Sequence, residues 1–486
     1  MKLLSYEQVN AFGKEYSFVP IGNEIYCDTI TPISLMRRLA ENASNYFLLE
    51  SVVNGKSIGR YSFLGYDPKM HIYCKGKQVF CSEKSESRKL EGEPIQVMKQ
   101  LLKEYKAPKM EEAPTFTGGF VGYCSYEMIS LTEPKLVIKE SEFPEFDFMF
   151  YDRVIAFDHL KQKVCIIANV ERKYGRKGYE AAVQEIEKMT QTLYDQMPIK
   201  KCMAQEKVEF SCNMTKEQFC TMVHNVKQHI VEGDVFQTVV SRRFEASYKS
   251  SLINTYRVMR TINPSPYMYY LKAEDIEIAG VSPETLVKLI NGKLTTFPVA
   301  GTRKRGNTKQ EDQKLEMELL QDPKELAEHN MLVDLARNDI GRLSKLGTVQ
   351  VEEYMQVHRF SKVMHIASEV TGVLQEDKDA IDTITTMLPA GTLSGAPKFR
   401  ACEIIDQQEQ DGRGVYAGAI GYIDMSGNAD VCIGIRTAIK KKDKVYVQAG
   451  AGIVADSDPE EEYEESYNKA KAVLEAIQRA SEVNGL

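Results

Sequence analysis

The sequence predicts a mixed α/β (α+β) globular protein, and three observations support this class. The 486 residues are 43% hydrophobic and 27% charged, a balance typical of chains that bury a core. Segments with helical spacing of apolar residues alternate with short apolar runs typical of strands. From Gly414 onward, turn signals separate three strand-like segments, which is the pattern of an antiparallel meander.

Charge and cysteine usage exclude several classes of protein. The net charge of −7 gives no electrostatic basis for binding nucleic acid or an anionic membrane surface. The N-terminus lacks the apolar core of a signal peptide, and no apolar run approaches membrane-spanning length. The ten cysteines and seven histidines form no disulfide or metal-binding pattern. We therefore predict a cytoplasmic protein without nucleic-acid or membrane partners.

The first 200 residues mix strand-like and helical segments. A polar, non-periodic segment then runs from Met197 to Lys207, and we predict a boundary there between an N-terminal region (1–200) and a C-terminal region (208–486). The glycine-rich stretch Phe116–Tyr123 lacks the spacing of a nucleotide-binding loop. The predicted elements are a helix at Gly178–Met197, a turn at Asn54–Gly55, and strands at Asn45–Ser51, Arg60–Gly65, His71–Cys74, Gln78–Cys81, Phe146–Tyr151 and Val164–Val170.

The C-terminal region opens with a helix that Gly233 is predicted to end. Strands are predicted at Asp234–Phe244 and Tyr267–Leu271. Ile276–Glu284 is predicted to end a strand in a turn that presents Glu284, and Pro298–Thr302 to do likewise. Helical spacing continues over Thr308–Leu343, with a break at Asp322–Pro323. The meander strands are Val415–Asp424, Ala429–Ala438 and the strand that begins at Val445.

Arg436 is a candidate anion-binding residue. Alternation along the middle meander strand places it on the face with Cys432, Gly434 and Ala438. These small neighbours leave room for an anionic ligand that the guanidinium can grip with two hydrogen bonds. An arginine on a solvated face is the alternative, but it would not need small neighbours.

The stretch from Val445 to Ser466 joins a strand to an acidic helix. Small residues at Gly450–Gly452 permit close approach of a ligand to the backbone, and Asp458 is predicted to cap the helix that Pro459 begins. Glu461 completes the spacing of a capping box. Two pairs of glutamates each share a helix face and are candidate cation ligands: Glu462 with Glu465, and Glu325 with Glu328. The alternatives are an acidic first turn that complements the helix dipole and an exposed charged stripe.

Taken together, the C-terminal motifs resemble the family of chorismate-utilising enzymes, and the whole chain is most similar to its anthranilate-forming members. The motifs occur in the family's order between Asp234 and Glu465. They are Ser282–Glu284, Pro298–Arg303, Glu325–His329, Asp334–Asp339, His365, Ala390–Pro397 and Gly450–Pro459.

The resemblance implies one intertwined body of two antiparallel β-sheets packed as a sandwich, with helices outside. It implies Mg²⁺ held by Glu328 and Glu465, with Glu325 and Glu462 assisting, which suits a hard cation that prefers carboxylate oxygens. The ring carboxylate of chorismate would bind that metal. The enolpyruvyl carboxylate would be held by Arg436, Tyr416 and the amides of Gly450, Ala451 and Gly452, and Ala300, Gly301 and Thr302 would line the substrate site.

The implied reaction is that of a Mg²⁺-dependent carbon–oxygen lyase at the first committed step of tryptophan biosynthesis. Ammonia adds to chorismate at C2 as the C4 hydroxyl leaves, and elimination of pyruvate gives anthranilate. Glu284 is the candidate general acid for the hydroxyl, a role that needs a raised pKa. His365 and Thr392 would lie near the ring, with His365 assisting elimination; a core histidine and a turn threonine are the alternatives.

Two positions separate relatives that carry out other reactions. Water-activating isochorismate-forming enzymes carry a lysine base where this chain has Gln237, whereas ammonia is already a nucleophile. Aminodeoxychorismate-forming relatives usually carry a nucleophilic lysine where this chain has Ala300. Aminodeoxychorismate synthesis therefore remains the alternative activity, and a non-catalytic amino-acid sensor on the same fold is the alternative class.

The resemblance also implies two binding partners besides chorismate. The sequence contains no Gly-x-Cys-x-Gly elbow of a glutamine amidotransferase, so ammonia from glutamine would come from a separate small subunit, component II. Tryptophan would act as a feedback inhibitor in a pocket of the N-terminal region. Its candidate residues are Leu49, Glu50, Ser51, Ser62, Asn263, Pro264, Ser265, Pro266, Tyr267 and Met268.

Overall fold

The helices of the structure, a computed structural model, begin and end close to the predicted bounds. The structure describes residues 1–51, 59–83, 86–194, 208–359 and 363–483, so the Asn54–Gly55 turn and the Met197–Lys207 boundary lie outside it. Asp322 caps the end of one predicted helix and the start of the next, as expected from Asp322–Pro323. The α-helices in the described ranges are α1 Tyr6–Asn10, α2 Pro32–Leu39, α3 Pro94–Glu104, α4 Ile129–Thr132, α5 Gly175–Tyr194, α6 Lys216–Val231, α7 Ile253–Ile262, α8 Lys309–Gln321, α9 Pro323–Gly341, α10 Ala380–Met387, α11 Lys398–Gln408 and α12 Pro459–Arg479.

The strands pair antiparallel throughout the described ranges. They are β1 Phe18–Tyr26, β2 Tyr46–Glu50, β3 Tyr61–Tyr66, β4 Met70–Lys75, β5 Gln78–Glu83, β6 Glu86–Leu90, β7 Gly119–Cys124, β8 Phe146–Tyr151, β9 Arg153–Asp158, β10 Lys163–Glu171, β11 Ser211–Cys212, β12 Gln237–Ser247, β13 Tyr267–Ala273, β14 Ile276–Ser282, β15 Thr285–Ile290, β16 Lys293–Thr296, β17 Val299–Lys304, β18 Gln350–Arg359, β19 Val363–Val373, β20 Gly395–Ala396, β21 Ala419–Asp424, β22 Ala429–Ile433, β23 Thr437–Lys441 and β24 Lys444–Ile453.

These strands form two sheets of twelve. Sheet I has the order β1-β10-β9-β3-β2-β13-β14-β23-β24-β12-β11, and β20 also pairs with β12. Sheet II has the order β17-β19-β16-β15-β22-β21-β7-β8-β4-β5-β6, and β18 also pairs with β19. Strands from both sides of residues 195–207 neighbour each other in each sheet, for example β2 with β13 and β7 with β21. The prediction of one intertwined body with two antiparallel sheets is confirmed.

Alternation of side chains explains how each strand serves two hydrophobic layers. In β2, Phe47 enters the cluster between the sheets, together with Val121 of β7 and Met149 of β8. Its neighbour Leu48 faces the opposite way, into a cluster covered by helices α2, α5, α7 and α12. A third cluster covers the outer face of sheet II beneath α3, α9, α10 and α11. Each fully buried aromatic or aliphatic side chain in these layers contributes roughly 1.5–3 kcal/mol to folding, before losses of conformational entropy.

A buried ion pair joins the two sheets near one edge. His71 of β4 contacts Asp147 of β8 (Nε2 to Oδ1, 2.7 Å) and Glu274 in the turn after β13 (Nδ1 to Oε1, 3.3 Å). Burial lowers the pKa of His71, but the attraction of Asp147 reverses this and raises the pKa to about 10. His71 is therefore charged at neutral pH, and it holds the two sheets together at a place where none of the family motifs lies.

The predicted meander is wrong in one important respect. Its segments form two hairpins in different sheets, because β22 belongs to sheet II and β23 to sheet I. The predicted strand Ala429–Ala438 is thus broken at residues 434–436, and the predicted strand Val415–Asp424 begins only at Ala419. A local period of two residues continues on both sides of such a crossover, so alternation alone does not reveal it.

Other strand bounds also differ from the predictions. The strand predicted from Asp234 begins at Gln237, where pairing with β20 starts. Pro298–Thr302 does not end a strand in a turn. Most of it lies inside β17, where Gly301 forms a bulge between Ala300 and Thr302 with φ +66°. Among the described helices, none is long and apolar enough to cross a membrane.

Candidate active site

Glu284 lies just beyond the end of β14, at the position the sequence predicted. The hydroxyl of Thr392 donates a hydrogen bond to Glu284 Oε1 at 2.8 Å. Although the residue is only partly buried by surface area, its carboxyl lies deep between packed elements, and this burial raises its pKa to about 7. The Thr392 hydrogen bond and the positive charge of Lys469 act in the opposite direction and keep the pKa from rising further. Glu284 can therefore hold a proton near neutral pH.

Thr392 is presented by a compact segment, residues 390–397, that is hydrogen-bonded to β12. The Ala390 carbonyl accepts hydrogen bonds from the amides of Leu393 and Ser394, while Ser394 and Ala396 carbonyls accept from residues 239 and 236. Gly395 has φ +140°, and a Cβ there would lie 2.1 Å from the Gln237 carbonyl oxygen. Only glycine permits this close pairing, which fixes the distance between Thr392 and β12.

Gln237 lies on the opposite side of the same segment, against β24. Its side chain is 7% exposed, and its Oε1 atom has no hydrogen-bond partner among the described residues. A Cβ on Gly452 would lie 2.7 Å from Gln237 Nε2, so the glycine makes room for this amide. A buried amide oxygen without a partner is costly, which points to a ligand or water as its partner.

Gly450–Gly452 lie within β24 and not in a loop. They pair with Ser241, Val240 and Val239 of β12. On the other edge, the pairing of β24 with β23 ends at Val447. That edge of residues 448–453 thus carries backbone groups that β23 does not pair, and these amides remain available to a ligand.

Arg436 lies at the crossover between β22 and β23. It has φ +52° and is half-buried, and burial lowers its pKa while nearby Tyr416 acts to raise it. Arg436 lines a cavity of about 620 Å³ with Glu465 and Lys469 of α12. The reason given for Arg436 from strand alternation was wrong, since the strand ends before it, but the crossover does present the guanidinium to a cavity.

The four predicted metal-binding glutamates come from α9 and α12, whose side chains interact electrostatically. Burial raises the pKa of Glu328, and the negative charges of Glu325 and Glu465 add to this. Burial also raises the pKa of Glu462, with a further contribution from Glu465. Asp458 caps α12 by accepting from the amides of residues 460 and 461, which sets the first turn that carries Glu462. The two pairs therefore lie close enough to repel each other.

Cations of the chain offset part of this negative charge. Arg303 contacts Glu325 at 2.9 Å, and Lys469 contacts Glu465 at 2.6 Å. Lys469 also acts electrostatically on Glu284, Glu328 and Glu462, so it connects the proposed acid to the glutamate cluster. Sequence reasoning missed Lys469. The available signal was its position four residues after Glu465 on the same helix face.

The glutamate cluster fits a hard divalent cation by its chemistry. Its donors are carboxylate oxygens, which Mg²⁺ prefers, and the pKa values of Glu328 and Glu462 are raised first by burial and then by the negative charge of neighbouring glutamates. No three of the four carboxylates lie within 4.8 Å of one another. Within the described ranges, the only group of ligand atoms this close is His229, Glu232 and Asp234, and there Arg400 contacts Asp234 at 2.7 Å.

His365 connects the bulge of β17 to this cluster. Its Nδ1 lies 3.0 Å from the Gly301 carbonyl oxygen and 3.0 Å from Thr302 Oγ1. Since a carbonyl oxygen can only accept, Nδ1 carries the proton, and Nε2 is the basic nitrogen of the neutral ring. Burial lowers the pKa of His365, and Arg436 lowers it further. A Cβ on Gly301 would lie 3.1 Å from Glu325 Oε2, so this glycine lets the strand approach the cluster.

A second cavity, of about 340 Å³, lies between the two sheets, with β2, β3 and β13 of sheet I on one side and β15, β21 and β22 of sheet II on the other. Six predicted residues line it: Leu49, Glu50, Ser51, Pro266, Tyr267 and Met268. The Ser51 hydroxyl is buried without a hydrogen-bond partner among the described residues. Glu50 is 7% exposed and accepts from Tyr256 (2.6 Å) and Arg260 (2.9 Å).

Four residues predicted for this cavity are not among its lining residues. Asn263, Pro264 and Ser265 precede the wall that Pro266 begins. Ser62 alternates with the lining residues Tyr61 and Phe63, so its side chain points to the other face of β3, where its Oγ lies 2.6 Å from His159 Nε2. Alternation on a known strand would have excluded Ser62.

Comparisons with known proteins agree with this fold. The family model described as chorismate binding enzyme matches residues 44–475, and the chain belongs to this family. It is 46% identical to the anthranilate synthase component 1 of Acetivibrio thermocellus over 98% of this chain and 99% of the relative. It is 42% identical to the protein of the same name from Aquifex aeolicus, over 99% and 98%. The crystal structure of anthranilate synthase component I from Streptococcus pneumoniae superposes with a TM-score of 0.78 at 37% identity, covering 93% of this chain and 98% of that one.

Proposed function

We propose that this chain is the chorismate-converting component of an anthranilate synthase, at the first committed step of tryptophan biosynthesis. Chorismate and ammonia would give anthranilate, pyruvate and water. The observation that carries the proposal is the Thr392–Glu284 hydrogen bond, connected through Lys469 to the glutamate cluster. The relatives named anthranilate synthase component 1 support it.

In the first step, Glu284 donates its proton to the C4 hydroxyl, which leaves as water while ammonia bonds to C2. A carboxyl with a pKa of about 7 is about half protonated at neutral pH, whereas an ordinary glutamate would be almost fully ionised, and a proton donor needs the protonated form. In the second step, the C2 proton is removed as the bond between ring C3 and the ether oxygen breaks, which leaves the aromatic ring. The enolpyruvate that departs gains a proton at its methylene carbon and becomes pyruvate. We assign His365 to this step, because its lowered pKa keeps the imidazole neutral and basic.

Each end of the cleft would bind a different carboxylate of chorismate. Arg436, Tyr416 and the Gly450–Gly452 amides suit the enolpyruvyl carboxylate, since a half-buried guanidinium and unpaired strand amides favour an anion. Glu328 and Glu465, with Glu325 and Glu462, would hold Mg²⁺. When bound, Mg²⁺ would supply the positive charge that attracts the ring carboxylate.

Ammonia is the proposed nucleophile because the position of a water-activating base is occupied by Gln237. Its amide cannot remove a proton, but its unpartnered Oε1 can accept a hydrogen bond from ammonia. We propose that a glutamine amidotransferase, component II, supplies the ammonia. The name component 1 of the relatives supports the existence of such a partner.

The direct test is the product that the purified chain forms from chorismate, Mg²⁺ and an ammonium salt. We expect anthranilate, detected by its fluorescence, and one pyruvate per anthranilate. Glutamine in place of ammonium should give no product until the amidotransferase is added. Accumulation of aminodeoxychorismate without pyruvate would instead identify the alternative activity, and the absence of turnover with ammonium would contradict both.

We further propose that the 340 Å³ cavity binds tryptophan as a feedback inhibitor. Ser51 Oγ offers a polar partner to the amino-acid group, while Pro266 and Tyr267 offer an apolar wall to the indole. The cavity is connected to the acid through one pair of strands: Tyr267 of β13 pairs with Ser282 of β14, two residues before Glu284. Tryptophan would inhibit by binding better to a state in which Glu284 is displaced.

Substitution Ser51→Ala is expected to raise the tryptophan concentration needed for half-inhibition roughly 10–100-fold, the value of one lost charge-assisted hydrogen bond. Activity without tryptophan should be kept, because the Ser51 hydroxyl has no partner to lose. The measurement is anthranilate formation against tryptophan concentration. Ser62→Ala is the matched control, since Ser62 does not line the cavity and should leave inhibition unchanged. Equal loss of activity and inhibition in Ser51→Ala would reject the assignment.

A further inference from the structure

The most deeply buried ion pair near the candidate site is Arg413–Glu409. The two side chains are 1% and 4% exposed, and they form two hydrogen bonds with each other, Nε to Oε2 at 2.9 Å and Nη2 to Oε1 at 2.6 Å. The guanidinium also lies 4.7 Å from the ring centre of Tyr126 and 5.6 Å from that of Tyr416. Neither Arg413 nor Glu409 has a role in the reaction described above.

The remaining donors of Arg413 go to backbone carbonyls of two different elements. Nη1 donates to the Leu393 carbonyl at 2.7 Å, and Nη2 donates to the Val239 carbonyl of β12 at 2.7 Å. Leu393 directly follows Thr392, the donor to Glu284. A single side chain therefore ties the Thr392 segment to the strand that carries Gln237.

Glu409 completes this tie from the other side. Its Oε1 accepts from the amide and the hydroxyl of Ser241, also on β12, at 2.7 and 2.8 Å. The four hydrogen bonds that Arg413 donates and those that both carboxylate oxygens of Glu409 accept are thus directed to the Thr392 segment, to β12 or to each other. A buried pair of this kind often contributes no net stability compared with apolar residues of equal volume. Its geometry does, however, fix the relative position of the elements it joins.

We propose that Arg413, oriented by Glu409, is a positioning residue that keeps Thr392 in hydrogen-bond contact with Glu284. Arg413 is buried and does not touch the substrate. It acts through its hydrogen bond to the Leu393 carbonyl. The inference rests on the proposed function, because it assigns Glu284 as the proton donor. It goes beyond that function by naming what sets the working pH range of the donor.

The test must separate the effect of the Thr392 contact on Glu284 from the effects of the charged groups around Glu284. Lys469 of α12 faces Glu284, and Asp339 of α9 lines the same small chamber of about 50 Å³, where Lys398 pairs with it at 3.1 Å. Around Arg413 the titratable groups are Glu409, Tyr126 and Tyr416. Substitutions at Arg413 leave Lys469, Asp339 and Lys398 in place, so a change in the pH profile reports the Thr392 contact.

The experiment is the pH dependence of kcat/KM in Arg413→Lys and Glu409→Gln. Glu284 must be protonated to act, so activity falls as pH rises through its pKa. Because the Thr392 hydrogen bond lowers that pKa, its loss should move the alkaline limb to higher pH, by about one pH unit. We also expect a 10–100-fold lower kcat. Thr392→Val should shift the limb in the same direction, and adding Arg413→Lys to Thr392→Val should cause no further shift.

Asp147→Asn is the control for a merely structural effect, since it breaks another buried ion pair, with His71, that joins β4 to β8 and involves neither β12 nor the Thr392 segment. It should lower thermal stability without moving the alkaline limb. If Arg413→Lys does not fold, Glu409→Gln, which keeps the guanidinium, still decides the question. An unmoved limb in the folded variants, or an additional shift in the double variant, would overturn the inference. Failure of the wild-type chain to form anthranilate would instead overturn the proposed function.

Discussion

Replacing Glu284 by glutamine is expected to lower kcat for anthranilate formation by about 10²–10⁴-fold, the usual contribution of a general acid. The amide keeps the size of the carboxyl and can still accept the Thr392 hydrogen bond, but it has no acidic proton for the C4 hydroxyl. The KM for chorismate should change little, since the proposed ligands of both substrate carboxylates are untouched. Steady-state kinetics with ammonium at saturating Mg²⁺ measure both quantities.

The pH dependence gives the same assignment an independent check. In the wild-type chain, kcat/KM should fall as pH rises through about 7, and this limb should vanish in Glu284→Gln. Glu369→Gln is a matched control, because burial raises the pKa of this carboxyl too and it lies on β19 outside the proposed machinery. It should keep both the rate and the limb. A Glu284→Gln variant with near wild-type rates would reject Glu284 as the acid.

The same carboxyl should cost the folded chain stability at high pH. Its folded pKa of about 7 exceeds the ordinary value of 4.5, so the folded state binds this proton more tightly than the unfolded chain. The associated stability is present below pH 4.5 and is lost as pH rises through 7. At pH 8 the ionised carboxyl costs at most about 3 kcal/mol, less where solvent reaches it. Glu284→Gln should therefore unfold at a higher temperature than the wild-type chain at pH 8.

Much of this arrangement followed from the sequence because it is local. The cap at Asp458, the break at Asp322 and the position of Glu284 after a strand each depend on a few consecutive residues. The two-sheet architecture came from the family resemblance, since pairing between distant strands such as β2 and β13 has no local signal. Some of the motifs that carry the resemblance meet in the fold, as Thr392 does with Glu284 and His365 with Gly301.

The errors share a physical origin in contacts between distant segments. The alternation around Arg436 was regular, yet the chain leaves sheet II at Gly434, where a Cβ would lie 2.2 Å from the Val415 carbonyl oxygen. Ser62 was assigned with Ser51 from the family resemblance, although its strand turns it to the opposite face. Lys469 and Arg413 escaped notice because their importance depends on which charges and carbonyls meet them in the folded chain.

Loss of one carboxylate from the glutamate cluster is the second prediction with a large effect. Glu328→Gln and Glu465→Gln are each expected to lose nearly all activity at millimolar Mg²⁺, since each removes one of the two proposed metal-binding residues. Chelation of divalent cations in the wild-type chain should have the same effect and be reversed by Mg²⁺. The measurement is the rate of anthranilate formation against free Mg²⁺ concentration.

Thermal unfolding without substrate separates metal binding from catalysis. A ligand at 100 times its dissociation constant stabilises the folded state by about 2.7 kcal/mol, so Mg²⁺ should raise the melting temperature of the wild-type chain measurably. In Glu328→Gln this rise should disappear. Without Mg²⁺ the same variant should be no less stable than the wild-type chain, because burial and then the negative charges of Glu325 and Glu465 disfavour the Glu328 carboxylate and raise its pKa.

Glu232→Gln decides whether the effect belongs to this cluster. Glu232, with His229 and Asp234, has the closest metal-compatible spacing in the described ranges, whereas the four glutamates are more widely spaced. If Mg²⁺ still stabilises Glu232→Gln but not Glu328→Gln, the spacing of possible ligand atoms does not by itself predict where the metal binds. Repulsion between carboxylates, offset only in part by Lys469 and Arg303, would then be what marks the metal site in this chain. The reverse result would place the bound cation beside α6 and remove Glu328 from the reaction.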